Sequence, residues 1–248
     1  MKLDVVFTPA GLAALEVQGR AVFVIDVLRA GTTICAALAA GARSVVPAAS
    51  VEEAMRLAQT IGPDETILAG ERNRLRVPGF ALGNSPGEMT EAQVKGKTVI
   101  MTTTNGTAAL LAVAAAPQAC IASIVNFAVV AERARAAFLS GTDLLVVCAG
   151  RDMRFALDDA YVAGRLIEAA MGGRRHRKGL NDAALAVLDL VRRYGRNWER
   201  PLTLSQSGRD LLTDGFAEDI STAINEDACP VLPIFSSRRV TLAPAAPA

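Results

Sequence analysis

Short runs of β-branched and apolar residues alternate with Ala/Leu-rich stretches of helix length as far as about residue 171. No other feature of the chain constrains its fold as strongly. Asp4–Phe7, Ala21–Val27, Ser44–Pro47, Thr66–Ala69, Lys97–Thr102, Ala119–Ile124 and Asp143–Cys148 read as strands. Between them, Thr32–Ala40 predicts a helix closed by Gly41. Ser50, with Glu53 three residues on, predicts a capped helix start. Thr107–Ala116, Asn126–Leu139 and Leu157–Met171 predict three more helices. Strands joined by helices of this length imply right-handed crossovers, hence an α/β fold: a mostly parallel sheet with helices on both faces. Aromatics are only 4% of the chain against 51% hydrophobic residues, much of that alanine, which suits close packing of helix on sheet.

The pattern changes after Gly172. Leu180–Tyr194 and Gly208–Asn225 read as helices, and only Val231–Phe235 as a strand able to rejoin the sheet. The expectation is one domain over residues 1–248: an α/β core at 1–171, a mainly helical part at 172–242 and a tail at 243–248. The GGRRHRK run of Gly172–Lys178 reads as a basic surface loop. A formal net charge of +1 argues against a general nucleic-acid binder. No run approaches the roughly 20 apolar residues of a membrane span, and the N-terminus lacks a signal-like apolar run. The four cysteines form no C-x-x-C pair. A cytoplasmic protein follows as the expectation, with no membrane partner and a homodimer among the possible assemblies.

Ligands of open parallel sheets bind beyond the carboxyl ends of the strands, and four such segments carry polar chemistry. Asp26, Arg29, Thr32 and Thr33 follow the second strand: a carboxylate for metal or catalysis, a planar fork for an anion and helix-opening hydroxyls. Glu71 and Arg72 follow the fourth and lead into a long loop holding Asn84 and Ser85. Thr103, Thr104, Asn105, Gly106 and Thr107 join a strand to a helix and offer donors to an anion. Asp158 and Asp159 stand where a helix begins and suit a divalent cation.

The single histidine, His176, makes a Ser-His-Asp triad or a His-rich metal site improbable. The lysine of a P-loop is absent from the Thr-Asn-Gly segment. Oxygen ligands favour Mg²⁺, with Asp26, Glu71, Asp158 and Asp159 as candidates. Cys148 and Arg154 formally match the C-x5-R loop of cysteine phosphatases, although Val147 and Phe155 are not the usual flanking residues. A cysteine-dependent phosphatase is therefore one alternative, and a non-catalytic binder of an anionic metabolite is another.

Taken in order, DVLRAGTTI, GERN, GFALGNSP, TTTNGTAAL and CAG with LDD, then Ser207-Gly208 and Gly215 with Asp219, resemble the 2-phosphosulfolactate phosphatase family of coenzyme M biosynthesis. The resemblance runs from about Asp4 to Pro233. It implies an α/β fold of the family's own and a Mg²⁺-dependent phosphatase that converts (R)-2-phospho-3-sulfolactate to 3-sulfolactate and phosphate. Asp26 and Arg29 would then be catalytic. Thr32, Thr33, Arg72, Asn84, Ser85 and Thr103–Thr107 would bind a small phosphate ester. Three places depart from the family pattern: Gly31, where Thr or Ser is commoner; Arg74, where glycine is expected; and Arg151–Phe155, in place of a Thr-Asp-Gly-type loop. Another phosphorylated hydroxy acid is thus an alternative substrate.

Overall fold

The computed structural model describes residues 1–14, 17–173 and 177–243. Part of the basic loop, residues 174–176 with His176, and the tail at 244–248 lie outside the described residues. In chain order the elements are β1 (Leu3–Val6), β2 (Ala21–Ile25), α1 (Ala30–Ala39), β3 (Ser44–Pro47), α2 (Val51–Ile61), β4 (Thr66–Arg72), β5 (Leu75–Arg76), α3 (Glu91–Val94), β6 (Thr98–Thr102) and α4 (Gly106–Ala112). There follow β7 (Ala119–Ala122), α5 (Phe127–Leu139), β8 (Leu144–Cys148), α6 (Leu157–Met171), α7 (Asp182–Tyr194), α8 (Glu199–Leu204), α9 (Gln206–Thr213), α10 (Ala217–Ala223), β9 (Pro233–Ser236) and β10 (Arg239–Leu242). The α/β pattern and the helical C-terminal part agree with the sequence reading. Ser50 caps α2 by accepting the Glu53 amide at 3.1 Å, and the Glu53 carboxylate reaches back to the Ala49 amide at 2.6 Å.

The sheet has ten strands in the order β1-β8-β2-β7-β9-β10-β3-β6-β4-β5. β1, β8, β2 and β7 form one parallel group, and β3, β6 and β4 a second. The β9–β10 hairpin joins them through antiparallel ladders on both sides. Its second strand was not foreseen. Ser237 and Arg238 make the turn, and of Arg239–Leu242 only Val240 is buried. The short polar run therefore hides the strand from a hydrophobicity reading.

Three antiparallel steps reverse the ladder direction between the two parallel groups. Residues at the carboxyl ends of β2, β4 and β6 nevertheless meet in one cleft. Two apolar clusters lie on opposite faces of β2. Phe23 and Ile25 pack with α5, α6 and α7, whereas Val22 and Val24 pack with α1 and α4. A third cluster places Ala54 of α2 against Val46 and Ile100 of the second parallel group. No described helix is long and apolar enough to cross a membrane.

Candidate active site

Asp26 is the first residue beyond β2. Its Oδ1 accepts the Ala30 amide at 3.0 Å, and its carbonyl accepts the Gly31 amide at 2.7 Å. The first free donors of α1 are thus taken by Asp26 itself rather than left for an anion. Gly106, at the start of α4, covers the other side of the carboxylate. A Cβ on Gly106 would stand 2.5 Å from Asp26 Oδ2, so the close approach requires glycine. Asp159, at the start of α6, fixes the neighbouring strand ends. It accepts Val27 N–H at 2.9 Å and Gly150 N–H at 3.0 Å.

Glu71 ties a second pair of loops together. Its Oε1 accepts the Thr104 amide at 2.7 Å; its Oε2 accepts the Arg74 amide at 2.8 Å and the Thr104 hydroxyl at 3.1 Å. β4 and β5 form a tight hairpin whose turn residues, Asn73 and Arg74, have φ of 52° and 71°. The long loop then returns along β4, with Leu82 bridged to Ala69, and delivers Asn84 to the cleft. Asn84 is buried, and its Oδ1 has no hydrogen-bond partner.

Asp26, Arg29, Glu71, Asn84, Thr103, Thr104 and Asn105 share one cleft of about 150 Å³. Several other expected residues serve the scaffold around it. The Thr32 hydroxyl donates to Val27 O at 2.7 Å, and that of Thr33 to Asn84 O at 2.8 Å. Arg72 spans to the Thr102 hydroxyl at 2.9 Å. Thr107 donates its hydroxyl to Thr103 O at 2.9 Å. Asn105 Oδ1 accepts the Asp152 amide at 2.9 Å, which holds the 151–154 turn against the α4 loop.

The C-terminal helices complete the site, and here the sequence reading fell short. The helix expected over Gly208–Asn225 breaks at Gly215, whose φ of 84° is left-handed. The break swings Phe216 over the Arg29 guanidinium at 4.5 Å and lets α10 present Asp219 to Arg29 at 2.7 Å. Arg29 also donates to Ser85 at 3.3 Å and to Arg74 O at 2.8 Å. It is a fixed hub with little freedom to clamp a ligand alone. Two arginines not chosen from sequence, Arg74 and Arg151, line the same cleft with Ser207 of α9. Their only earlier signal was a departure from a familiar pattern.

Burial pushes the Asp26 carboxyl up to about 7; the Ala30 hydrogen bond opposes this, and the neighbouring Asp158 and Glu71 add to it. Asp158 rises to about 6, again chiefly through burial. Asp159 is raised well above the ordinary range by burial and by Asp158. A cluster of buried carboxylates is costly unless protons or a cation compensate it. Among the described residues, no three acidic, thiol or imidazole groups converge into a ready metal cage. Glu71 and Asp159 have both oxygens committed to backbone amides. Asp158 Oδ1, by contrast, is buried with no hydrogen-bond partner. Asp158 does not itself line the cleft, but its charge acts on Asp26, and an unpartnered carboxylate oxygen suits Mg²⁺, which commonly takes one or two carboxylates and leaves its other positions to water and phosphate.

Cys148 ends β8 at 1% exposure and does not line the cleft. Burial, then Asp159 and Asp158, holds its thiol well above the usual value, against thiolate formation. Arg154 faces solvent and pairs with Arg151 across a tight turn. Cys148→Ser is expected to retain kcat/KM within about threefold, because the thiol lies buried outside the cleft; a nucleophilic cysteine would lose nearly all activity on this change. A folded but inactive serine variant would revive the cysteine alternative.

Comparison with known proteins adds independent findings. The sequence model of the family described as 2-phosphosulpholactate phosphatase matches residues 6–238. A probable 2-phosphosulfolactate phosphatase from Symbiobacterium thermophilum is 41% identical over 230 residues, covering 92% of this chain and 97% of the relative. Relatives bearing the same description in Carboxydothermus hydrogenoformans and Caldanaerobacter subterraneus are 38% and 36% identical. They cover 94% and 88% of this chain, and 92% and 88% of their own lengths.

Proposed function

Because this chain belongs to the 2-phosphosulpholactate phosphatase family, we propose that it hydrolyses 2-phosphosulfolactate, or a closely related phosphorylated hydroxy acid, to the hydroxy acid and phosphate with the help of Mg²⁺. The observation that carries this reading is the meeting of Asp26 with Arg29, Arg74, Arg151 and the Asn84 and Asn105 amides in one cleft, with the unpartnered Asp158 Oδ1 buried close enough for its charge to act on Asp26. Carboxylates alone would repel a phosphate ester, and arginines alone would only bind one.

Asp26 and Asp158 would hold the cation, whose charge neutralises phosphate oxygens as the ester bond breaks. The Asn105 and Gly106 amides have no protein acceptor among the described residues, and they would orient the phosphate. The four cysteines are free thiols, which fits a reducing cytoplasm.

Phosphate release from (R)-2-phospho-3-sulfolactate and from 2-phospholactate is the direct test. Activity should vanish in EDTA and return with Mg²⁺. Full turnover by verified metal-free protein would remove the metal from the mechanism. Failure to release phosphate from either ester would remove the substrate assignment.

A further inference from the structure

We propose that Arg151, with Arg74 beside it, forms a subsite for the second anionic group of the substrate and so sets a preference for phosphate esters that carry another acidic group. The proposal rests on the phosphatase reading for its substrate, but its evidence is separate. Arg151 Nη1 is buried and has no hydrogen-bond partner. The side chain as a whole is 25% exposed and lines the cleft, but a guanidinium donor shielded from water and left empty is costly, and an anionic oxygen is the group that would satisfy it.

The rest of the guanidinium is firmly placed. Nη2 pairs with Asp210 of α9, and Nε lies 3.6 Å from Asp152. The hairpin beneath is fixed by paired Arg151 and Arg154 backbones and by the Asn105 bond to Asp152 N–H. Arg74 joins the same carboxylate at 3.6 Å and Asp214 at 2.5 Å. The two arginines therefore form a small network over one end of the cleft, with Asp210 as their shared positioning residue. Arg74 keeps a large side chain at a φ of 71°, where glycine would be unstrained. Such strain is tolerated where the side chain is used.

Arg29, the arginine expected to hold an anion, has Asp219, Ser85 and Arg74 O as partners. Of the arginines that line the cleft, Arg151 is the one with a buried, unpartnered donor. A fork of this kind distinguishes sulfonate or carboxylate oxygens from a neutral hydroxyl, because the neutral group would leave the charge uncompensated.

Titration calorimetry with 3-sulfolactate and, separately, inorganic phosphate, each in the presence of Mg²⁺, tests this on the wild type, Arg151→Gln and Arg151→Lys. Arg151→Gln should weaken sulfolactate binding by about 10–100-fold and phosphate binding by much less. Arg151→Lys should recover part of the loss and also covers the case in which the glutamine variant does not fold. Equal weakening of both ligands, unchanged sulfolactate affinity in Arg151→Gln, or no sulfolactate binding by the wild type would overturn the proposal. Phosphate release by the wild type is scored independently. Sulfolactate binding that depends on Arg151 without any turnover would defeat the catalytic reading and leave the subsite standing.

Discussion

Asp26→Asn should lower kcat/KM by about 10²–10⁴-fold, the usual range for a lost acid–base or charge-stabilising group, and raise the melting temperature of the metal-free protein. The substitution is nearly isosteric and keeps an oxygen for the Ala30 amide. It removes a carboxylate whose ionised form is disfavoured by burial and by the neighbouring Asp158 and Glu71. The sign follows from linkage. The folded-state value of about 7 lies above the ordinary 3.8, so between those values the unfolded chain releases a proton that the folded chain keeps. Stability should therefore fall as pH rises from about 4 to about 7, and more so because Asp158 shifts the same way. Asp26→Asn should flatten that slope. Above neutral pH it should melt about 3–6 °C higher, given the usual 2–4 °C per kcal/mol for a chain of this size. Mg²⁺ should stabilise the wild type more than the variant. Thermal melts across pH in EDTA, paired with phosphate-release kinetics, check both halves. Wild-type kinetics together with an unchanged pH slope would show that Asp26 only caps α1.

Arg29→Met should destabilise the fold by about 3–5 kcal/mol, the usual effect of stranding one member of a buried ion pair. Arg29 and Asp219 side chains are 3% and 8% exposed, and the guanidinium also holds Ser85 and the Arg74 carbonyl. Asp219→Leu alone should do similar harm by stranding Arg29. The double variant should recover much of the stability, because an apolar pair avoids the desolvation of both charges. It should not recover activity, since the loops bearing Arg74 and Asn84 lose their common anchor. Denaturant unfolding of the two single variants and the double variant measures the coupling. Additive losses would show that Arg29 and Asp219 act independently.

Local chemistry made much of this arrangement readable in advance. Asp26, Thr104 and Asn105 are legible because each follows a strand, and Asn84 because it lies in the long loop that leaves one; the carboxyl ends of strands are where such sheets leave open space. Ser50 and Glu53 were readable because a cap operates over three residues. The Gly208–Asn225 helix was misjudged at Gly215, since isolated glycines are tolerated within helices and only the contacts of Phe216 and Asp219 reveal a break. Arg239–Leu242 was overlooked because its strand is held by ladder partners on both sides rather than by its own hydrophobicity.

The sequence by itself determined the α/β alternation, the polar loops at the strand ends and the family to which their order points, because these depend on neighbours a few residues apart. Only the tertiary structure decided that a C-terminal hairpin joins two parallel groups of opposite ladder direction, and that the ends of β2, β4 and β6 meet in one cleft. It also decided which polar groups remain available. Glu71 and Asp159 are spent on backbone amides, while Asp158 Oδ1 and Arg151 Nη1 are left without partners. Hydrogen-bond satisfaction is settled by contacts between residues far apart in sequence, so two aspartates side by side in the chain could not be assigned their different tasks until the chain was folded.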